Sequence, residues 1–451
     1  MNVPIAAVAT APGAAALAVI RISAPNARPL LRALGVKAPP PRRARLAAIR
    51  NNAGELIDRG LVIFFPAPAS YTGEDVVELH LHGGRAVVAA AMEAVLAAGA
   101  RLAEPGEFTR RAFETGKLDL DQAEAVADVV DAQTSAQARQ ALSQLQGDLG
   151  RRYLLWRERL TSVLARLEAG VDFPDEDVDI DATGVAAELA GLHADMAAAL
   201  AHGGRGLQIR EGYRVALIGA PNAGKSTLFN ALLARDAAIV TDTPGTTRDV
   251  IEAALDVAGY RVLLADMAGL RSSGDPIEAE GVRRARAWAQ AADLRLWLVD
   301  ASADGEAWRE GLDLVREGDF AVFTKADLAE GPAAAFARHA VRGLGLAEIV
   351  LEFAPGFPGL ACVGPQIVLR TLGERVVEAL SGGDFPALTR RRHGEALAAA
   401  LVALERAQGT GQAELAAEDV RLAARELEKI QGRIGVEAVL DSLFLSFCIG
   451  K

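Results

Sequence analysis

The run YRVALIGAPNAGKSTLFNALL, residues 213–233, decides the fold. Its first seven residues form an unbroken apolar stretch of buried-strand type, and LFNALL at its end reads as the start of a helix. Between them, GAPNAGKST (219–227) carries Gly219, Gly224, Lys225 and Ser226 at the spacing of a phosphate-binding loop. Glycines there let backbone N–H groups wrap phosphates where a Cβ would intrude. Lys225 is expected to reach the β- and γ-phosphates, Ser226 to ligate Mg²⁺, and the helix N-terminus to add favourable partial charge.

Three further motifs follow in order. VTDTPGTTRDV (240–250) lies where a first switch threonine is expected, with Thr247 as a second Mg²⁺ ligand. VLLADMAGL (262–270) is a strand ending in D-x-x-G, placing Asp266 near Mg²⁺ and the Gly269 N–H on the γ-phosphate. AVFTKADL (321–328) is a strand ending in KxD, and Asp327 can accept the ring N–H and amino donors of guanine, a pair that adenine lacks. The sequence therefore predicts a GTPase that takes GTP or GDP with Mg²⁺. Its nucleotide contacts are Asn222, Ala223, Gly224, Lys225, Ser226 and Thr227, then Thr241, Asp242, Thr243, Pro244, Gly245, Thr246 and Thr247. Asp266, Met267, Ala268 and Gly269, and Thr324, Lys325, Ala326 and Asp327, complete the set.

The catalytic group is not the usual one. Leu270 follows the D-x-x-G glycine, where a Ras-like switch carries a water-orienting glutamine. The next loop offers Asp275, Glu278 and Glu280, each of which either positions water or simply starts the following helix. Asn222 either points its carbonyl at a monovalent cation beside the phosphates, K⁺ doing the work of an arginine finger, or only caps the loop.

The rest of the chain fits several domains. Of its 451 residues, 51% are hydrophobic, enough for a sizeable core. Two cysteines, Cys362 and Cys448, make no disulfide framework and point to a reducing, cytoplasmic setting. A formal net charge of -11 argues against a surface that coats nucleic acid unaided. Residues 3–20 are nearly all apolar, but no basic residue precedes them and Pro4, Pro12 and Gly13 interrupt the run. They read as two strands around a turn, and nothing else approaches a membrane span. Residues 1 to about 117 mix short β-like runs with one alanine-rich helix near 85–98. Long helices follow over 119–170, with another near 184–202 ending at Gly203-Gly204, and helix returns from Leu388 onward. The prediction is a multidomain α/β and α+β protein: 1–118 an α+β domain, 211–380 a doubly wound G domain, inserted between the two parts, 119–210 and 381–451, of a helical domain.

Together these features resemble the MnmE (TrmE) family of tRNA-modification GTPases. The resemblance covers essentially the whole chain, through AVIRIS (18–23), YTGEDVVELHLHGG (71–84), EPGEFTRRAFETGKLDLDQAEA (104–125), SQLQG (143–147), VDFPDEDVDI (171–180) and SFCIGK (446–451). It implies a K⁺-dependent GTPase whose G domains dimerise across the nucleotide. Asn222 matches the K⁺-binding asparagine, Thr241, Thr243 and Thr246 the loop completing the K⁺ shell, and Glu278 the catalytic glutamate. The N-terminal domain resembles a dimer-forming tetrahydrofolate-binding domain taking a 5-formyl or 5,10-methylene derivative. Arg21, Glu78, Lys117 and Lys451 match its folate-contacting positions. With the FAD-dependent partner MnmG (GidA), in a heterotetramer, such proteins add an aminomethyl-type group to position 5 of the wobble uridine of certain tRNAs. A ribosome-assembly GTPase of the Era or Der kind and a dynamin-like GTPase are the competing readings, but no KH-type domain or membrane-binding tip is evident.

Some features keep two readings. Cys448 is a nucleophile near the folate or a small residue packed beside Phe444 and Phe447. His80 and His82 bind metal or serve structure, the acidic run 172–181 holds a cation or is a solvated linker, and TRRRH (389–393) contacts tRNA or starts a helix. Two departures fall at the base site. Thr324 stands where the family has asparagine and is expected to be too short to link base and phosphate loop. Phe353 in EFAPG (352–356) replaces a serine of the loop over the guanine carbonyl, though Ala354 keeps its N–H. Lost hydrogen bonds of this kind cost about 1–3 kcal/mol, so weaker nucleotide binding is expected. Met267 in place of threonine is expected to matter little.

Overall fold

The computed structural model describes residues 3–172, 182–234, 239, 251–267, 276–326, 328, 332–351, 363–382, 388–432, 434, 440, 443–445, 447 and 450. The chain divides into two compact units: residues 1–130, 143–196 and 395–451 form one, residues 131–142 and 197–394 the other.

The first unit opens with the strands read around the Pro12-Gly13 turn, β1 (Ile5–Val8) and β2 (Ala15–Ala24). They are followed by α1 (Arg28–Ala33), β3 (Arg45–Arg50), β4 (Leu56–Phe65), β5 (Asp75–Gly83), α2 (Arg85–Ala97), β6 (Arg101–Leu102) and α3 (Glu107–Glu114). The sheet order is β3-β4-β5-β2-β1-β6, antiparallel except for the β1–β6 pair. Alternation along β2 sends Ile20 and Ile22 into the core shared with α1 and α2, and turns Arg21 to the other face. Register sets Arg21 directly opposite Glu78 of β5.

Helices α4 (Leu120–Asp131), α5 (Ser135–Leu145), α6 (Asp148–Asp172), α7 (Ala182–Ala201) and α8 (Gly204–Glu211) follow. The last is an addition to the sequence reading. Gly203 keeps right-handed helical dihedrals (φ -65°, ψ -24°), so the glycine pair kinks the path without ending the helical run.

The second sheet is built from β7 (Tyr213–Gly219), β8 (Ile251–Val257), β9 (Tyr260–Asp266), β10 (Leu294–Asp300), β11 (Phe320–Thr324) and β12 (Ala347–Val350). Around them lie α9 (Lys225–Leu233), α10 (Pro276–Ala291), α11 (Pro332–Gly343) and α12 (Val363–Leu380). The order is β12-β11-β10-β7-β9-β8, parallel throughout except for the β8–β9 hairpin. Val215 and Leu217 join one core, Ala216 and Ile218 the core on the opposite face. That two-sided burial is why the strand reads as an unbroken apolar run.

The chain ends in α13 (Arg391–Gly409) and α14 (Ala413–Gln431). Within the first unit α14 lies against α6: Arg421 pairs with Glu168 at 2.6 Å, and Gln431 donates to the Gly150 carbonyl at 3.0 Å. The helical segments before and after the nucleotide-site sheet thus share contacts. Leu443, Phe444 and Phe447 pack on Leu120 and Ala123 of α4.

One buried cation ties the second sheet to α10. Arg295 of β10 is 2% exposed and donates to the Ala289, Gln290 and Ala292 carbonyls at the C-terminal end of α10, at 2.9, 3.1 and 2.7 Å. Its guanidinium also lies 3.4 Å from Asp319, whose carboxyl is pushed up by burial. Arg295→Met leaves Asp319 buried without its cation and three helix-end carbonyls short of a donor. Breaking a buried pair costs about 3–5 kcal/mol. Urea unfolding of the intact chain, followed by tryptophan fluorescence, should show the transition that exposes Trp297 moving to lower denaturant; an unmoved midpoint would refute the clamp.

Candidate nucleotide-binding site

Strand β7 delivers the phosphate loop, and the backbone there admits little but glycine. Gly219 sits at φ +134°, and a Cβ on it would lie 2.3 Å from the Leu298 carbonyl oxygen. Gly224, at φ +90°, caps α9. Between them Asn222 is exposed and left-handed at φ +63°, a conformation asparagine tolerates better than most side chains. Lys225 is 7% exposed and donates from Nζ to the Gly219 and Ala220 carbonyls, both at 2.8 Å. Burial pushes its ammonium below the ordinary lysine range, opposed by the charges of Asp266 and Glu310.

Ser226 follows on α9, and its hydroxyl donates to Asp266 Oδ2 at 2.5 Å. Asp266 is brought there by register, because β9 runs parallel to β7 with Leu217 opposite Asp266. Its other oxygen, Oδ1, is buried with no protein hydrogen-bond partner. A buried, half-satisfied carboxylate beside a hydroxyl, at the mouth of a phosphate loop, suits a hard cation with oxygen ligands such as Mg²⁺. Thr227 is exposed, and Met267 is buried with its N–H on the Leu217 carbonyl at 3.2 Å.

The base end corrects one expectation. Thr324 is 1% exposed at the end of β11, and its hydroxyl donates to the Ala223 carbonyl at 2.8 Å. Threonine is therefore long enough to tie this strand to the phosphate loop, because the loop passes close by: a Cβ on Gly224 would lie 3.4 Å from Thr324 Cγ2. Lys325, left-handed at φ +57°, places its ammonium 2.5 Å from Asp300. Burial pushes the Asp300 carboxyl up, but hydrogen bonds from Lys325 and Ser302 hold it below the usual range. The Ala326 N–H reaches the Leu351 carbonyl at 3.4 Å.

Thr241, Asp242, Thr243, Pro244, Gly245, Thr246, Thr247, Ala268, Gly269, Leu270, Asp275, Asp327, Phe353, Ala354, Cys448 and Lys451 lie outside the described residues, as does the acidic run beyond Asp172. Glu278 belongs to the first turn of α10. Of the three acids in that region Glu280 takes the helix-start role: it pairs with Arg283 at 2.6 Å and Arg284 at 3.0 Å, which hold its exposed carboxyl down at about 2.

On the first sheet, Arg21 and Glu78 come together as a pair, Arg21 Nε and Nη2 donating to Glu78 Oε1 at 3.1 and 3.0 Å. They line a cavity of about 420 Å³ with Arg42, Phe65, Tyr71 and Val126. Arg21 also lies over the Tyr71 and Phe108 rings, at 5.8 and 5.9 Å. The sequence reading missed Arg42 and the aromatics; the alternation of Phe65 and Tyr71 with the sheet residues was their only signal. Lys117 is exposed and does not line this cavity. His80 is 3.2 Å from Glu78 and His82 is 2.9 Å from Asp58, and among the described residues no group of three or more potential ligands could hold a metal. In the basic cluster, Thr389 and His393 are buried, with the Thr389 N–H 3.4 Å from His393 Nδ1 at the start of α13. Among the described residues no helix is long and apolar enough to cross a membrane.

Comparison with known proteins adds the following. Residues 120–448 match the family model described as the MnmE helical domain, and residues 4–117 that of the GTP-binding protein TrmE N-terminus. The chain is 54% identical to the tRNA modification GTPase MnmE of Phenylobacterium zucineum and 53% identical to that of Caulobacter vibrioides, each covered in full on both sides. It is 49% identical to that of Parvibaculum lavamentivorans over 99% of both chains.

The Thr324 hydroxyl provides a direct test of how the base end is held. Thr324→Val keeps the shape and leaves the Ala223 carbonyl without this donor, an uncompensated loss of about 1–3 kcal/mol. GDP affinity by calorimetric titration should fall about fivefold to a hundredfold; affinity equal to the unsubstituted protein would show that the link does not hold the loop.

Proposed function

The chain belongs to the MnmE family of tRNA modification GTPases, and from that premise we propose that it binds guanine nucleotide at the β7–α9 loop, hydrolyses GTP there, and acts in tRNA modification. The observation that carries this reading is the Ser226–Asp266 hydrogen bond beside the buried Lys225. Lys225 and the loop N–H groups bind the β- and γ-phosphates. Ser226, Thr247 and Asp266 hold Mg²⁺, which when bound neutralises phosphate charge. Asp327 reads guanine, with Thr324 bracing the strand that presents it.

The finer assignments follow the family resemblance. Asn222, with Thr241, Thr243 and Thr246, holds K⁺. Its exposed left-handed backbone supports that role, since the side chain is not consumed inside the loop. Glu278 on the first turn of α10 orients the attacking water in place of the glutamine that Leu270 displaces. Two G domains approach across their nucleotides and separate after hydrolysis, rearranging the helical domain. The N-terminal domain pairs with a second copy and takes a tetrahydrofolate derivative as one-carbon source, with the Arg21–Glu78 pair and the aromatic-lined cavity offering charge and ring faces to a pterin. Lys117 and Lys451 complete that site, with Cys448 nearby. The partner is an FAD-dependent MnmG (GidA) protein, and the product is an aminomethyl-type group at position 5 of a tRNA wobble uridine made in the cytoplasm.

Two variants separate the roles at the phosphate end. Glu278→Ala should bind GDP as before while GTP turnover drops by about a hundredfold or more, the size of a lost water-positioning group; unaltered turnover removes Glu278 from the reaction. Phosphate release by the unsubstituted protein should be faster in K⁺ than in Na⁺ at equal ionic strength, and Asn222→Ala should erase the difference. Equal rates in both salts would withdraw the cation from the mechanism.

A further inference from the structure

The connection from β10 to β11 carries a carboxylate that the reading of the motifs does not use. Residues 301–319 contain two short 3₁₀ turns, Ala307–Arg309 and Leu312–Leu314, and bring Glu310 to the phosphate loop. Two contacts fix its backbone. The fully buried Trp297 donates its indole N–H to the Glu310 carbonyl at 3.3 Å. Gly311, at φ +82°, packs so closely that a Cβ on it would lie 3.3 Å from the Gly219 backbone nitrogen, the first residue of the phosphate loop. One oxygen of the Glu310 carboxylate is buried. Its charge acts on Lys225, raising that ammonium's affinity for its proton against the effect of burial.

We propose that Glu310 is a built-in antagonist of the nucleotide's phosphates: a fixed negative charge behind the phosphate loop that competes with them for Lys225 and so keeps nucleotide affinity low and release fast. This rests on the reading of the site as a guanine-nucleotide site. The argument is electrostatic. Lys225 supplies the side-chain positive charge of the loop, and two of its hydrogen-bond donors already lie on the Gly219 and Ala220 carbonyls. A carboxylate whose field reaches that ammonium stabilises Lys225 turned toward its own loop. The same carboxylate repels the incoming phosphates, through a medium where charges are screened far less than in water. Both effects act against binding, and both grow with the number of phosphate charges.

The charge can be removed with little change of shape. In Glu310→Gln the amide is isosteric, and the Trp297 bond is made by the main-chain carbonyl, so it survives the change. Binding of GDP and of a non-hydrolysable GTP analogue, each with Mg²⁺, is measured by calorimetry, and release of fluorescently labelled GDP by stopped flow. Glu310→Gln should tighten GDP about tenfold, on the scale of one unit charge near the loop, with slower release and a larger gain for the triphosphate. Glu310→Asp, which keeps the charge, should stay near the original affinity; it also guards against a folding defect caused by any change at this position. Affinity unchanged or weakened in Glu310→Gln would overturn the proposal, and a weakening would make Glu310 a support for Lys225 instead. Binding by the original protein with no response in the variant leaves the site reading intact and removes only Glu310. No binding of guanine nucleotide by any of the three proteins overturns both.

Discussion

The parallel register of β7 and β9 is the constraint on which the nucleotide site depends. It sets Asp266 beside Leu217, two residues before Gly219, so that the carboxylate at one strand end meets Ser226 at the start of the helix leaving the other. Ligands in such sheets gather outside the carboxyl ends of the strands, and this site follows the rule with three neighbouring strands. β9 supplies Asp266. β11 supplies Thr324, bonded to the Ala223 carbonyl. The exit of β10 supplies Asp300, paired with Lys325, and the Glu310–Gly311 corner. The phosphate loop is thus braced from its neighbours by backbone contacts that admit little change, while the side chains on it decide charge.

Charge is where the site is finely poised. Lys225 lies at 7% exposure, where burial alone disfavours its charged form. Two carboxylates, Asp266 and Glu310, oppose that effect from different elements. Asp266 doubles as the group that suits a divalent cation, which would offset its charge when nucleotide binds. Glu310 has no such second use among the motif roles, so its charge stays in the balance with nucleotide bound.

Much of this could be read from the chain. The unbroken apolar run 213–219 is legible because both faces of the strand are buried, and the glycines because each sits where a side chain would strike backbone. The turn between β1 and β2 was marked by Pro12 and Gly13. What sequence could not carry was distance between elements far apart in the chain. Thr324 looked too short because its length was judged against asparagine, while the reach required is set by how near Ala223 passes. Arg21 and Glu78 read as separate contacts, and only strand register makes them a pair. Gly203-Gly204 looked like a stop because glycine often ends helices, yet α8 begins at once. Glu310 belongs to no motif, and its meaning comes wholly from where Trp297 and Gly219 hold its backbone.

Helix α10 shows how such placement bears on catalysis. Its C-terminal carbonyls are gripped by Arg295, a cation already committed to the buried pair with Asp319. Its first turn carries Glu278, and just beyond it Glu280 is occupied by Arg283 and Arg284. The helix is therefore anchored in the sheet at one end and free of such a clamp among the described residues at the other. An eleven-residue lever of about 16 Å separates Ala289 from Glu278. A small rotation at the anchored end moves a carboxylate at position 278 by several times the displacement at Ala289. A catalytic group placed there needs no loop of its own to reach the phosphates; it needs a rigid helix and a fixed pivot, and Arg295 supplies the pivot.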